Sequence, residues 1–256
     1  MSQEKILEIG GVTQRFGGLI ALNDVSIWVE KNEIVGVIGP NGSGKTTLFN
    51  CITGIYKPTQ GKITFNNHDI TGLKPFIIAE RGISRTFQNI RLYREMTVLE
   101  NVLAGMHIRT NTNLFDAIFH TPRKRREDAF IEERAEEILE ILHISQFRFM
   151  RAGNLPYGEQ RKLEIARALA TQPELLLLDE PVAGMNENET LELGEIIASL
   201  CSRGQTILLI EHDMKFVMNA CDRLYVLNYG EPIAQGIPAE IQRNPQVIEA
   251  YLGKEV

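Results

Sequence analysis

Gly39-Pro40-Asn41-Gly42-Ser43-Gly44-Lys45-Thr46-Thr47 lies directly after the apolar run Ile34-Val35-Gly36-Val37-Ile38 and directly before Leu48-Phe49-Asn50-Cys51-Ile52. The order reads as strand, glycine-rich loop, helix. The loop matches G-x-x-x-x-G-K-[ST] in full, and each residue type has a task if a nucleotide phosphate chain is the ligand. Gly39, Gly42 and Gly44 let the backbone turn without Cβ clashes, so that successive N–H groups can face anionic oxygens. Lys45 supplies a compact positive charge for the β- and γ-phosphates, and the Thr46 hydroxyl is placed to ligate Mg²⁺. Leu48, Cys51, Ile52 and Ile55 recur at helical spacing, so a helix starts behind the loop with the positive end of its dipole toward the phosphates, and Gly54 is expected to end it. A chance glycine-rich turn is the competing explanation, but a buried strand before and an amphipathic helix after are the context that the motif requires.

The chain has 256 residues, enough for one α/β domain with an insert, and its 43% apolar and 23% charged residues are ordinary for a globular protein. A formal net charge of −6 argues against a main surface built for nucleic acid. No apolar stretch approaches the roughly 20 residues of a bilayer span. The N-terminus, Met1-Ser2-Gln3-Glu4-Lys5, lacks the apolar region of a signal peptide, so the expectation is a soluble, cytoplasmic chain. Cys51, Cys201 and Cys221 are scattered, without a C-x-x-C pair; they are read as core thiols and not as disulfide or zinc ligands.

From Ile6 to Phe65 the patterning has period two: Val25, Ile27 and Val29 alternate with polar or amphipathic neighbours, as do Ile63 and Phe65. Half-buried antiparallel strands flanking the phosphate loop are expected. Between Asn101 and Asn154 helical spacing takes over, with Ala135, Ile138, Leu139 and Leu142 on one stripe and Glu132, Glu133, Glu136, Glu137 and Glu140 elsewhere. This predicts a helical subdomain over about residues 90–154, inserted into a core formed by residues 1–89 and 155–256. Within it, the basic run Arg123-Lys124-Arg125-Arg126 is followed at once by Glu127 and Asp128 and reads as a solvated helix start or loop, in preference to a contact with phospholipid or nucleic acid. A helix over about 158–171, stopped by Pro173, precedes two buried strands, 175–178 and 207–210, with a helix at 189–201 between them. That alternation implies a parallel sheet. A hairpin around Tyr229-Gly230 and a helix opened by Pro238 close the chain.

The stretch Leu175-Leu176-Leu177-Leu178-Asp179-Glu180-Pro181 narrows the chemistry. A carboxylate at the end of a buried strand can hold the Mg²⁺ shell, the Walker B arrangement, and this is the role read for Asp179. The carboxylate beside it, Glu180, can orient and deprotonate an attacking water.

At this point the chain resembles the ATP-binding subunits of ABC transporters over essentially its full length. Gln88, in Ser84-Arg85-Thr86-Phe87-Gln88, matches the family's Q-loop, and Leu155-Pro156-Tyr157-Gly158-Glu159-Gln160 its signature. Ala183-Gly184-Met185-Asn186 matches the D-loop and His212, in Ile210-Glu211-His212-Asp213, the switch histidine; Phe16 sits where the family places an aromatic ring under adenine. The resemblance implies an α/β P-loop NTPase fold with a RecA-like parallel-sheet core, an antiparallel β subdomain and an inserted helical subdomain. It implies ATP and Mg²⁺ as cofactors, Lys45, Gln88, Glu180 and His212 as catalytic residues, and Thr46, Gln88 and Asp179 around the metal. Nucleotide contacts are implied for Phe16, for Gly39, Pro40, Asn41, Gly42, Ser43, Gly44, Lys45, Thr46 and Thr47, and, across a head-to-tail dimer, for Tyr157, Gly158, Glu159 and Gln160. The implied partners are membrane permease subunits and a second ATPase subunit, identical or not, which would hold this chain at the inner face of the plasma membrane; nucleic acid is not expected.

In finer detail Arg85-Thr86-Phe87-Gln88, Tyr93-Arg94-Glu95-Met96-Thr97, Tyr157-Gly158, Ala183-Gly184-Met185-Asn186, Glu211-His212-Asp213-Met214-Lys215 and the ending Ala250-Tyr251-Leu252-Gly253 resemble the first of the two ATPase subunits of branched-chain amino-acid importers. Urea importers and the lipopolysaccharide exporter have similar ATPases. Two positions depart from the common motifs: Pro156 stands where serine is usual and Asn186 where aspartate is usual. Ile90, Leu92, Tyr93 and Met96 form an apolar cluster beside Gln88 that suits either a permease helix or packing of the insert. A soluble ABC-type ATPase for DNA repair or cluster assembly is a competing class, but the interval from Thr46 to Leu155 has no sustained heptad. A GTPase or small-molecule kinase would leave the signature and His212 without purpose, and a sensor without catalysis would not need Glu180 and His212.

Overall fold

The computed structural model describes residues 4–106 and 122–252. In chain order its elements are strands β1 (Lys5–Phe16), β2 (Leu19–Glu30) and β3 (Ile34–Ile38), helix α1 (Lys45–Ile52), strands β4 (Gln60–Phe65) and β5 (His68–Asp69), helix α2 (Pro75–Glu80) and strand β6 (Ile83–Arg85). Helices α3 (Val98–Met106), α4 (Pro122–Ile141) and α5 (Tyr157–Ala170) follow. The chain then continues as β7 (Leu175–Asp179), α6 (Glu187–Ser202), β8 (Thr206–Ile210), α7 (Met214–Ala220), β9 (Arg223–Asn228), β10 (Glu231–Gly236), α8 (Pro238–Ile241) and α9 (Pro245–Leu252). These fall into two compact units, one made of residues 1–85 and 174–256 and the other of residues 86–173.

The first unit holds two sheets. The four-stranded sheet runs β2-β1-β4-β5, all neighbours antiparallel, as the period-two patterning predicts. The six-stranded sheet runs β10-β9-β3-β8-β7-β6, and β3 pairs in parallel with both β8 and β9. Every residue of β3, β7 and β8 is buried, which is why these strands read as unbroken apolar runs. Helix α1 presses Leu48, Phe49, Cys51 and Ile52 into this core. It stops at Ile52, so Ile55, expected on its apolar stripe, lies beyond the helix and is 48% exposed. The cause is the turn at Gly54, whose φ is +72° and where a Cβ would come within 2.0 Å of the Leu73 carbonyl oxygen. Cys51 and Cys221 are core thiols as expected, burial pushing Cys51 up to about 11, whereas Cys201 is only half-buried.

The second unit is helical and wider than the predicted 90–154, because α5 belongs to it. Helix α5 packs on α3, and the two backbones approach so closely that a Cβ on Gly105 would meet the Arg167 carbonyl oxygen at 2.7 Å. Helix α4 buries Ala135 and Leu139 of its predicted stripe, with Leu142 buried just past its end. The basic run 123–126 falls in the first turns of α4, and its side chains lie outside the described residues. Asn101 is fully buried; its side chain accepts from the Tyr93 N–H at 3.0 Å and donates to the Tyr93 and Thr97 carbonyls at 3.0 and 2.9 Å. That amide fixes the segment carrying Tyr93 and Met96.

Leu177 sits fully buried in β7, two residues before Asp179. Leu177→Ala is expected to cost about 2–5 kcal/mol through the cavity it leaves. Urea denaturation followed by circular dichroism should show a lower midpoint, and an unchanged midpoint would remove β7 from the core.

Candidate active site

The phosphate loop leaves the end of β3 through Gly39, whose φ is +150°. A Cβ there would lie 2.0 Å from the Leu227 carbonyl oxygen, and one on Gly44, at φ +104°, would lie 2.6 Å from that of Ala21. Both positions are therefore closed to every residue but glycine. The Ser43 N–H donates to the Pro40 carbonyl at 3.1 Å, and the Gly230 N–H holds the Ser43 carbonyl at 3.0 Å. Lys45 turns back into this ring: its Nζ donates to the Gly39 carbonyl at 2.7 Å and to that of Pro40 at 3.0 Å. Burial lowers the Lys45 pKa, while the carboxylates of Glu180, Asp179 and Glu211 pull it back up. The first N–H groups of α1 have no partner within the helix and open on the same loop. Ser43 Oγ is shielded from solvent and has no hydrogen-bond partner among the described residues.

Asp179 ends β7 with its carboxylate 2.7 Å from Arg85 Nη2, both side chains more than nine-tenths buried. Arg85 also donates to Asn50 Oδ1 at 2.7 Å, which ties α1 to the end of β7. Arg85 has no role in the sequence analysis; a cation at the end of the short, mostly buried strand β6, three residues before Gln88, is the signal that marks it. Glu180 follows at φ +48°, a left-handed conformation that a glutamate adopts at a cost of about 1–2 kcal/mol. The turn throws its carboxylate off the strand end, where it is 17% exposed and 3.8 Å from His212 Nδ1. Glu211, quoted in the sequence but given no task there, is wholly buried. Its carboxylate accepts from the N–H groups of Val182 at 3.0 Å, His212 at 2.9 Å and Asp213 at 3.3 Å. One buried side chain thus fastens the segment after Glu180 to the segment carrying His212. Burial raises the Glu211 pKa against those three donors. Asn186 forms a capping box with Glu189, accepting from its N–H at 3.0 Å while its own N–H donates to the Glu189 carboxylate at 2.9 Å. An amide fills this cap as well as a carboxylate does. Phe16, at the end of β1, is 41% exposed and meets Tyr56 edge to face at 5.1 Å, so it is not a core residue. Thr46 and Asn41 are exposed and Thr47 is half-buried.

In the helical unit Pro156 takes the N-cap position of α5 with φ −54° and ψ 156° and offers no side-chain cap. Gln160 donates instead to the Leu155 carbonyl at 2.8 Å, and Glu159 pairs with Lys162 at 3.3 Å. Gly158 is buried and Tyr157 is 46% exposed. An unexpected feature of this unit is the buried pair Arg161–Glu164 at 3.0 Å. Arg161 donates to the carbonyls of Phe87 at 2.9 Å and Gln88 at 3.0 Å, and Glu164 accepts from the N–H groups of Phe87 at 3.2 Å and Arg91 at 3.4 Å. The signature helix therefore grips the backbone of the segment that carries Gln88, whose side chain is exposed.

The ABC transporter family model matches residues 22–183, and the model of the branched-chain amino acid ATP-binding cassette transporter segment matches residues 231–256. The chain is 52% identical to the high-affinity branched-chain amino acid transport ATP-binding protein LivG of Salmonella typhimurium over 255 residues, 99% of this chain and 100% of that one. It is 50% identical to the corresponding protein BraF of Pseudomonas aeruginosa over 250 residues, 97% of this chain and 98% of that one. Among solved structures it is similar to the ADP conformation of MJ1267, an ATP-binding cassette of an ABC transporter, with a TM-score of 0.85 at 36% identity, covering 98% of this chain and 100% of that one.

Removing one side of the Arg161–Glu164 pair leaves the other buried and unpaired. Arg161→Met should cost about 3–5 kcal/mol. Adding Glu164→Leu should recover much of that stability yet leave the Phe87 and Arg91 amides exchanging rapidly with deuterium. Protection at those two amides equal to wild type would show that the pair does not hold the segment.

Proposed function

The chain belongs to the ABC transporter family, and on that premise we propose that it is the ATP-hydrolysing subunit of an importer of branched-chain amino acids. The observation that carries the catalytic half is the convergence of Lys45, Asp179, Glu180, Glu211 and His212 at the ends of β3, β7 and β8. The solute rests on residues 231–256, which match the branched-chain segment model, and on the names of the relatives.

The loop fits a phosphate chain on its own evidence. Two glycines leave room that any Cβ would fill, a buried serine hydroxyl lacks a partner, and a buried ammonium stands among backbone carbonyls. No group of three or more His, Cys, Asp or Glu among the described residues could hold a metal by itself. That suits Mg²⁺, which takes one or two protein oxygens and fills the rest of its shell with phosphate and water. Thr46 and Asp179 would hold it, and when bound it neutralises charge on the phosphate oxygens. Arg85 positions Asp179 for that duty. Lys45 leaves its carbonyl partners for the β- and γ-phosphates, exchanging neutral acceptors for charged ones. Glu180 takes the proton of the water that attacks the γ-phosphorus, and His212, beside it, donates to the γ-phosphate side. Phe16 offers its exposed ring to adenine.

The signature segment of a second ATPase subunit would cover the phosphate loop, presenting the N-terminus of its α5 to the γ-phosphate. With Pro156 in place of serine, that contact is made by backbone N–H groups alone. Among the described residues no helix is long and apolar enough to cross a membrane. The chain would work at the inner membrane face through permease subunits, for which Tyr93 and Met96, 51% and 41% exposed, form a docking surface.

Lys45→Ala should abolish ATP binding in isothermal titration. Glu180→Gln should bind ATP and lose turnover by about 10²–10⁴-fold, because the amide keeps the shape and cannot take a proton. Normal turnover in Glu180→Gln would move the general base elsewhere. With its permease partners in proteoliposomes, the ATPase should be stimulated by leucine, isoleucine or valine delivered to the outer side; stimulation by urea instead would overturn the solute.

A further inference from the structure

The hairpin joining β1 to β2 has an open tip: Phe16 pairs with Leu19 across it, Gly17 turns at φ +58°, and a Cβ on Gly17 or Gly18 would meet nothing within 4 Å. Phe16 is nevertheless held by a ring. Tyr56 meets it with the two centroids 5.1 Å apart and the planes at 74°, and it is the one aromatic ring in contact with Phe16 among the described residues. So near a right angle, the contact leaves Phe16 at least one face free of Tyr56. Tyr56 itself is half-buried and packs against the core of this unit. Its N–H donates to the Asn50 carbonyl at 3.0 Å, which hangs it from α1, the helix that begins with Lys45 and Thr46. Three residues on, Thr59 ties the same segment to β1: its N–H donates to the Thr13 carbonyl at 2.9 Å, and its hydroxyl accepts from the Arg15 N–H at 3.1 Å. One helix therefore carries Lys45 and Thr46 in its first turn and, just past its end, the ring that meets Phe16.

Resting on the reading of Phe16 as the partner of adenine, we propose that Tyr56 is a positioning residue for the base: it holds the Phe16 ring in the plane on which adenine stacks, at a place set by the helix that holds the phosphates. A phenylalanine alone at a hairpin tip turns freely about its side-chain bonds, and binding then loses the free energy of fixing it. An edge-to-face neighbour fixes the ring beforehand, and such a pair is favourable beyond the area it buries. The phosphates gain nothing from it, because their donors lie in the loop 39–47. If Tyr56 only closes the core, its loss costs stability and shifts the affinities for nucleotide and for bare triphosphate alike, or neither.

The test is isothermal titration of the full chain with ATP and with inorganic triphosphate, each with Mg²⁺, in wild type, Phe16→Leu, Tyr56→Leu, Tyr56→Phe and the double variant of Phe16→Leu with Tyr56→Leu. Tyr56→Leu is expected to raise the ATP Kd about two- to tenfold and to leave that for triphosphate unchanged. Tyr56→Phe, which keeps the ring, should bind ATP as wild type does, and the double variant should bind it no more weakly than Phe16→Leu. Should Tyr56→Leu fail to fold, Tyr56→Met, whose longer chain adapts to the gap, carries the same expectation. An ATP Kd unchanged in Tyr56→Leu, equal weakening of ATP and triphosphate, or a loss that adds in full to that of Phe16→Leu overturns the positioning role. Phe16→Leu tests the underlying reading by itself: an ATP Kd raised about five- to hundredfold with triphosphate unaffected keeps that reading whatever Tyr56 does, and an unchanged ATP Kd removes adenine from Phe16 and the inference with it.

Discussion

A buried ammonium that must stay charged is the constraint on which the rest of the site depends. Lys45 is 6% exposed and Asp179, the nearest acidic strand end, is 2% exposed, so neither can rely on water for solvation. The Gly39 and Pro40 carbonyls supply two acceptors and the carboxylates of Glu180, Asp179 and Glu211 supply the field. That arrangement is possible because β3 lies between β8 and β9 with β7 next to β8, so that their carboxyl ends open on one side of the sheet. Ligands of open α/β sheets bind outside those ends. Here the same ends also carry the groups that would take a proton from water.

Polar staples hold the loops that leave these strands. Arg85 fastens Asp179 to α1, Glu211 fastens the turn after Glu180 to the His212 segment, and Asn186 starts α6. In the helical unit the Arg161–Glu164 pair does the same for the backbone around Gln88. Glu211, Asn186 and the Arg161–Glu164 pair each join a side chain to backbone groups that would otherwise be left without partners, whereas Arg85 joins side chains. The strain at Glu180 fits this picture: its left-handed backbone persists because its N–H is bound to the Ile210 carbonyl at 2.9 Å and its own carbonyl to the Ala183 N–H at 3.2 Å.

The strands and the phosphate loop were legible in the sequence because they are local: a buried strand needs an apolar run, and the loop needs glycine where a Cβ has no room. The Gly39 and Gly44 clashes bear this out. The parallel sheet followed from strands alternating with helices, and the hairpin from Tyr229-Gly230. What could not be read were contacts that join residues far apart in the chain. Arg85 meets Asp179 across 94 positions, and Arg161 reaches Phe87 across 74. Arg85, Phe87 and Asp179 stand in quoted motifs, but nothing in the spacing of those motifs names the residue that each one meets. Glu211 was in view beside His212, yet its three backbone donors belong to two turns that only the fold brings together. The reach of the helical unit was underestimated for a related reason: α5 has the spacing of any buried helix, and only its packing on α3 assigns it to that unit. Ile55 was misplaced because helical spacing carries on past a glycine that the backbone does not pass as helix.

The charge state of Lys45 tests the central claim most directly. Nuclear magnetic resonance of the chain with ¹⁵N-labelled lysine, assigned with Lys45→Arg, can follow Nζ of this residue through a pH titration with and without ATP. Without nucleotide its pKa should lie below the ordinary lysine value, because burial outweighs the three carboxylates. ATP should raise it, since phosphate oxygens at the ammonium favour the charged form. A pKa in the ordinary lysine range that ATP does not move would contradict the account.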